Sequence, residues 1–147
     1  MSDRKHYVYK LTDQNMQTYG GYQWKLGEER TTSGEGELCG PGWLHCYDDP
    51  LLAVLLNSIH ANFKNPLGFK AVVKGRGKHD NGLKSGYKSM TLVEEMPLPE
   101  VGITQRIAFG ILCAKEVYTN PAWVEWANGW LNGQNRSAEA AAKAGAD

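Results

Sequence analysis

The stretch Glu37–Ile59, ELCGPGWLHCYDDPLLAVLLNSI, constrains the fold more than any other part of the chain. Cys39-Gly40-Pro41-Gly42 has turn chemistry, because glycine tolerates positive φ and proline presets one bend. Trp43–Tyr47 then reads as a short aromatic strand, with Asp49 as an N-cap and Pro50 at the first helical position. The run therefore delivers His45 from a strand to the mouth of a helix. Such a corner serves either as an active site or as a well-built part of a core, and no motif in it fixes a reaction.

The composition sets limits on the rest. A chain of 147 residues implies one domain, here expected over residues 1–134 with an Ala-rich helix or tail over 135–147. Sixteen basic residues balance sixteen acidic ones, which removes the electrostatic footprint of a dedicated nucleic-acid binder. The longest apolar run, Leu51–Leu56, is too short to span a bilayer. MSDRKHYVYK lacks the apolar core of a secretion signal, so a cytoplasmic protein without membrane contact is expected. Cys39, Cys46 and Cys113 are odd in number and read as free thiols. Cys39, His45 and Cys46 lack a fourth ligand and the paired spacing of a zinc site. Neither a metal nor a cofactor is expected.

Along the chain, His6–Leu11 alternates around Tyr7, Tyr9 and Leu11 as a first strand, and Tyr19–Leu26 carries Tyr22, Trp24 and Leu26 at period two as a second. Glu28–Glu37 is a charged loop and a candidate flap. A helix from Pro50 to about Asn62 has more than one apolar stripe and should be deeply packed. Phe69–Val73 reads as a buried strand and Ser89–Leu98 as another, ended by Pro97 and Pro99. Helices follow from near Thr104 to Val117 and over Pro121–Leu131, the latter closed by Gly133. SAEAAAKAGAD is a strong helix former with no large apolar residue, so a short exposed C-terminal helix is expected. The sum is an α+β domain with a mainly antiparallel sheet and about three packed helices.

Several residue groups carry chemistry. On a strand, His45 shares a side with Trp43 and Tyr47, and an aromatic-lined imidazole can stack on a ring or move a proton near neutral pH. Its alternative is a half-buried histidine bonded to backbone. Lys74–Lys88, KGRGKHDNGLKSGYK, concentrates the cations of a neutral chain, and its glycines allow close approach to an anion. The spacing of a phosphate-binding P-loop is absent. The alternative here is a solvated hairpin with an Asn81-Gly82 turn. Arg106, near a helix start, pairs with an anion or with Glu94, Glu95 or Glu100. Trp123, Ala127, Trp130 and Leu131 share a helical face with Trp126 beside them, as core or as a docking surface for another chain. The candidate ligand-binding set is thus Trp43, His45, Tyr47, Arg76, Lys78, His79 and Arg106, with no catalytic residue identified.

The order Tyr9-Lys10, Trp24…Gly27, Leu38-Cys39…Gly42-Trp43-Leu44-His45, Pro50-Leu51-Leu52-Ala53, Gln105–Phe109 and Trp126–Leu131 resembles a family of uncharacterised bacteriophage and prophage domains that precede Ala-rich repetitive tails. The resemblance implies a cytosolic protein acting inside an infected cell. It implies a host-takeover or anti-defence role, while the basic glycine loop and the His45 strand imply a non-catalytic binding protein that captures an anionic, nucleotide-like ligand or a host protein. Tyr9–Thr12 with Gly42…His45…Tyr47…Asp49-Pro50 is also similar to the opening of ADP-ribosyltransferase folds. That likeness implies an NAD-using enzyme with Glu94 or Glu95 in the catalytic role. A structural or assembly protein, possible as a homo-oligomer, is the third reading.

Overall fold

The computed structural model describes residues 6–145; Met1–Lys5, part of the expected leaderless N-terminus, and the last two residues of the Ala-rich tail lie outside them. Two compact units follow one another, Met1–Glu100 and Val101–Asp147, a division at Glu100 where the sequence reading set one at residue 134. The class is α+β with antiparallel sheets.

In chain order the first unit contains β1 (Tyr7–Thr12), β2 (Gln17–Thr18), β3 (Tyr22–Gln23), β4 (Glu29–Thr31), β5 (Leu44–Cys46), α1 (Pro50–His60), β6 (Leu67–Lys74), β7 (Lys78–Asp80), β8 (Lys84–Tyr87) and β9 (Ser89–Met96). One sheet runs β1-β6-β9-β4 and a second β5-β8-β7, all pairs antiparallel. The sheets are joined where Tyr9 and Tyr47 exchange backbone hydrogen bonds of 2.8 and 2.9 Å. Val8, Trp24, Leu44, Cys46, Phe69, Ala71, Tyr87, Met90 and Leu92 form the core that both sheets cover.

Three expectations are corrected here. In β1 Val8, Lys10 and Thr12 are buried, and of the expected stripe Leu11 is buried too, while Tyr9 is half-buried and Tyr7 is 39% exposed; the neighbouring strands, not the aromatic rings, decide which face turns in. Of the strand expected over Tyr19–Leu26 only Tyr22–Gln23 pairs, in a two-residue ladder with β2. Trp24 is fully buried and Leu26 is exposed. The loop expected over Glu28–Glu37 contributes Glu29–Thr31 to the edge of the first sheet as β4.

Asp49 caps α1 as its sequence implies, its carboxylate accepting from Leu51 N at 2.7 Å. Ala53, Val54 and Leu56 are buried, whereas Leu51 and Ile59 are exposed, so α1 packs through one stripe only. It ends at His60, before Asn65-Pro66, because Asn62 turns left-handed at φ 54° and the Asn57 side chain bonds both backbone groups of Phe63.

The second unit holds α2 (Ile103–Lys115), α3 (Pro121–Leu131) and α4 (Ala138–Gly145). Asn120 accepts from Ala122 N and Trp123 N at the start of α3. Ile111, Ala127 and Trp130 form its core, with Ala108, Trp123, Trp126 and Leu131 packed around them, so the tryptophan face is largely internal. The Arg136 guanidinium lies 4.5 Å from the Trp130 ring centre and donates to Trp130 O at 2.8 Å. The terminal helix is mostly exposed, with Ala140 and Ala141 half-buried and Ala144 buried.

Candidate ligand-binding site

The second sheet has one face in the core and one facing outward. Alternation sends Leu44, Cys46, Ser85 and Tyr87 inward, all under a tenth exposed. It sends Trp43, His45, Lys84, Gly86 and Lys78 outward. Register fixes a row across three strands, because His45 pairs with Gly86 and Gly86 pairs with Lys78. The cationic segment Lys74–Lys88 is thus the β7–β8 hairpin, turned at Asn81-Gly82 with φ of 47° and 79°. It is hydrogen-bonded directly to the histidine strand.

Gly86 leaves a gap in this face. A Cβ there would lie 2.6 Å from Leu38 Cδ1 and 3.0 Å from Trp43 Cβ, so the Leu38 side chain fills the gap against the backbone. The segment Glu35–Gly40 lies across the face as a strap. Leu38 O accepts from His45 Nε2. Gly36 O accepts from Lys78 Nζ at 2.9 Å and Trp43 Nε1 at 3.0 Å, and the Lys78 ammonium sits 5.5 Å from the Trp43 ring centre. Lys84 Nζ donates to Cys39 Sγ at 3.2 Å. The strap is pinned at its neck, where Gly34 N and Thr32 Oγ1 both donate to Gly42 O at 2.8 Å.

Electrostatics at the far end of the face are set by burial and by neighbouring cations. Burial lowers the His45 pKa most, and the charges of Lys10, Lys84 and His60 lower it further against the opposing Leu38 bond. The ring is therefore neutral at pH 7. Because a carbonyl only accepts, its proton is on Nε2 and Nδ1 carries the free lone pair. His60, at the end of α1, is also held low, by burial and then by Lys84, against Asp80. It stacks on Tyr47 with ring centres 5.8 Å apart. Burial pushes the Tyr47 phenol up to about 12, so it keeps its proton and donates to His60 Nδ1 at 2.5 Å. Beneath the strand, Lys10 is buried to 9% exposure and donates to His45 O at 2.6 Å. Burial brings its pKa down to about 8. Burial likewise pushes the Cys46 thiol up to about 12, which keeps it protonated and unreactive.

Of the sequence candidates, Trp43, His45 and Lys78 share this outer face; Tyr47 lies just past β5, buried to 8% exposure against His60 of α1. His79 does not: its Nδ1 bonds Ser85 Oγ at 2.8 Å and its ring meets Tyr87 edge-on, on the opposite face. Arg76 is exposed in the β6–β7 turn. Arg106 belongs to α2 of the second unit and is exposed there. Glu94 pairs in register with Lys70, which pairs with Tyr9, which bridges to Tyr47. Three inter-strand steps of about 4.8 Å put it about 14 Å from Tyr47, and Glu95 is one residue further along the strand. Sequence reasoning passed over Lys10, His60 and Lys84 as site residues. Only Lys84 carried a signal, since it alternates with Gly86 on the hairpin strand.

Two bridged antiparallel sheets with one capped helix, followed by a helical unit, define a small α+β protein with an aromatic and cationic sheet face. The chain belongs to the family described as Domain of unknown function (DUF7666), whose model matches residues 6–104. No curated protein and no solved structure matches the chain.

Proposed function

We propose that the first unit is a non-catalytic binding domain for a small anionic ligand of nucleotide type, held on the outer face of β5, β8 and β7. The observation that carries this reading is the His45–Gly86–Lys78 row, flanked by Trp43 and Lys84, with its donors aimed at one narrow strip. An ammonium beside an indole ring suits an anionic group next to a planar one, since charge-assisted bonds are roughly twice as strong as neutral ones. The absence of catalysis is argued from the same residues. His45 has cations for neighbours rather than an orienting carboxylate, Cys46 is locked in the core, and Glu94 and Glu95 lie on β9, three strand steps away. The likeness to bacteriophage domains supplies a setting, an infected cell in which such a protein sequesters a host signal or neutralises a host defence.

Thermal unfolding with a panel of ribonucleotides, NAD and inorganic phosphate tests the proposal. A binder present at a hundred times its Kd stabilises the fold by about 2.7 kcal/mol, a shift of several degrees. The paired substitution Lys78→Ala, Lys84→Ala should remove that shift. A panel with no shift, or a shift that survives the double substitution, rejects this face as the site.

A further inference from the structure

Resting on the reading just given, we infer that the strap Glu35–Gly40 is an internal pseudo-ligand, and that its contacts trace the ligand: a planar ring joined to one oxyanion, as in a nucleoside monophosphate. The strap offers the face three things. Leu38 seats an apolar group on the bare backbone of Gly86 beside Trp43. Leu38 O gives His45 Nε2 an acceptor. Gly36 O gives one shared acceptor to Lys78 Nζ and Trp43 Nε1. Each is an imperfect partner. A lysine ammonium bound to a neutral carbonyl gains from exchange for an anionic oxygen, and a branched aliphatic group in a gap walled by an indole gains from exchange for a stacked ring.

The two carbonyls belong to residues two apart, so the positions they mark lie at most about 7 Å from one another. That span admits a ring and a single phosphate rather than a dinucleotide. The strap is also built to leave. Its body is held mainly by those contacts, by the Lys84–Cys39 bond and by one internal turn, Gly40 N donating to Glu37 O at 2.9 Å. Glu35, Gly36, Glu37 and Cys39 are exposed. Gly42 marks the neck: a Cβ there would lie 2.0 Å from Glu35 O, so any side chain forces the strap off its seat.

The test compares the full chain with Leu38→Ala, which removes the plug, and Gly42→Ala, which breaks the neck. The four ribonucleoside monophosphates, adenosine and inorganic phosphate are titrated by calorimetry, with amide hydrogen exchange followed over residues 33–42. The proposal expects a monophosphate to bind tighter than adenosine or phosphate alone, to speed exchange in the strap, and to bind the variants five- to tenfold tighter than the parent. Binding with unchanged strap exchange and no gain in either variant overturns the pseudo-ligand and leaves the binding site standing. No binding by any of the proteins overturns both. Should Gly42→Ala fail to fold, Leu38→Ala and the exchange measurement decide alone.

Discussion

At the scale of single residues, Lys10 and the two histidines set how the first unit answers to pH. Lys10 has a backbone carbonyl and the Trp24 ring, 5.4 Å away, as neighbours in the core. Its pKa of about 8, against 10.5 for a free lysine, means the unfolded chain binds a proton the native state has released between those values. Stability therefore rises with pH in that window, and the full burial penalty is present below pH 8. At about 1.4 kcal/mol per unit the shift amounts to about 3 kcal/mol. Above pH 9 the protons of Cys46 and then Tyr47, retained longer by the native state, work the other way. Urea unfolding between pH 7.5 and 9 should show a gain of about 1 kcal/mol, and Lys10→Met should flatten it. His45 and His60 have the opposite consequence for binding. Both are held low by burial first, His45 then by Lys10, Lys84 and His60 in that order and His60 then by Lys84, so an anion that offsets those charges favours their protonation. Nucleotide affinity should rise several-fold from pH 7.5 to 5.5, while the unliganded fold loses stability over the same range. A calorimetric titration at both values checks it. Of these three only His45 was legible from sequence. A lysine in a strand is read as exposed because it usually is, and His60 looks like the frayed end of a helix until Tyr47 is seen beneath it.

Elements were legible where local chemistry decides and illegible where partners decide. Asp49-Pro50, Asn120-Pro121 and Asn81-Gly82 each produced the cap or turn their residues dictate, since an N-cap or a positive φ depends on a few neighbouring atoms. Asp49→Ala should accordingly cost about 1 kcal/mol of stability, measurable as a lower urea midpoint with unchanged slope. Asp49→Asn should recover most of it, because the amide oxygen still accepts from Leu51 N. Phase within strands was harder. Tyr7, Tyr9 and Leu11 make a better apolar stripe than Val8, Lys10 and Thr12, yet pairing with β6 on one flank and bridging to Tyr47 bury the whole second set and, of the first, only Leu11 fully. In β9, Leu92 pairs with Ala71 but Glu94 with Lys70. The extra residue, Val93, is 40% exposed, so the alternation expected over Ser89–Leu98 breaks at a bulge. In the site, the aromatic strand and the hairpin were both legible, and their joining was not, because strand order is a non-local property.

At the scale of the whole molecule, the boundary after Glu100 separates two bodies with very different means of standing alone. The first has a core of large side chains, Trp24, Phe69, Met90 and Leu92, each no more than 2% exposed, closed between two sheets. The second has Ile111, Ala127 and Trp130 at its centre, and its longest helix leaves Ile103, Ile107 and Leu112 more than 40% exposed. A domain of about 60 residues is already marginal, because it buries only about 60% of the surface its unfolded chain exposes. The second unit, Val101–Asp147, is shorter than that. The family match, residues 6–104, covers the first unit almost alone, and Trp43, His45, Tyr47, Lys78 and Lys84 all lie inside it. A fragment ending at Glu100 should therefore unfold cooperatively and keep the parent's nucleotide affinity within about twofold, a difference near 0.4 kcal/mol. The fragment 101–147 alone should show no cooperative melting transition. Circular dichroism melts of the two fragments beside the full chain distinguish the cases. A first fragment that melts without cooperativity, or that loses the parent's affinity, rejects the independence of the first unit.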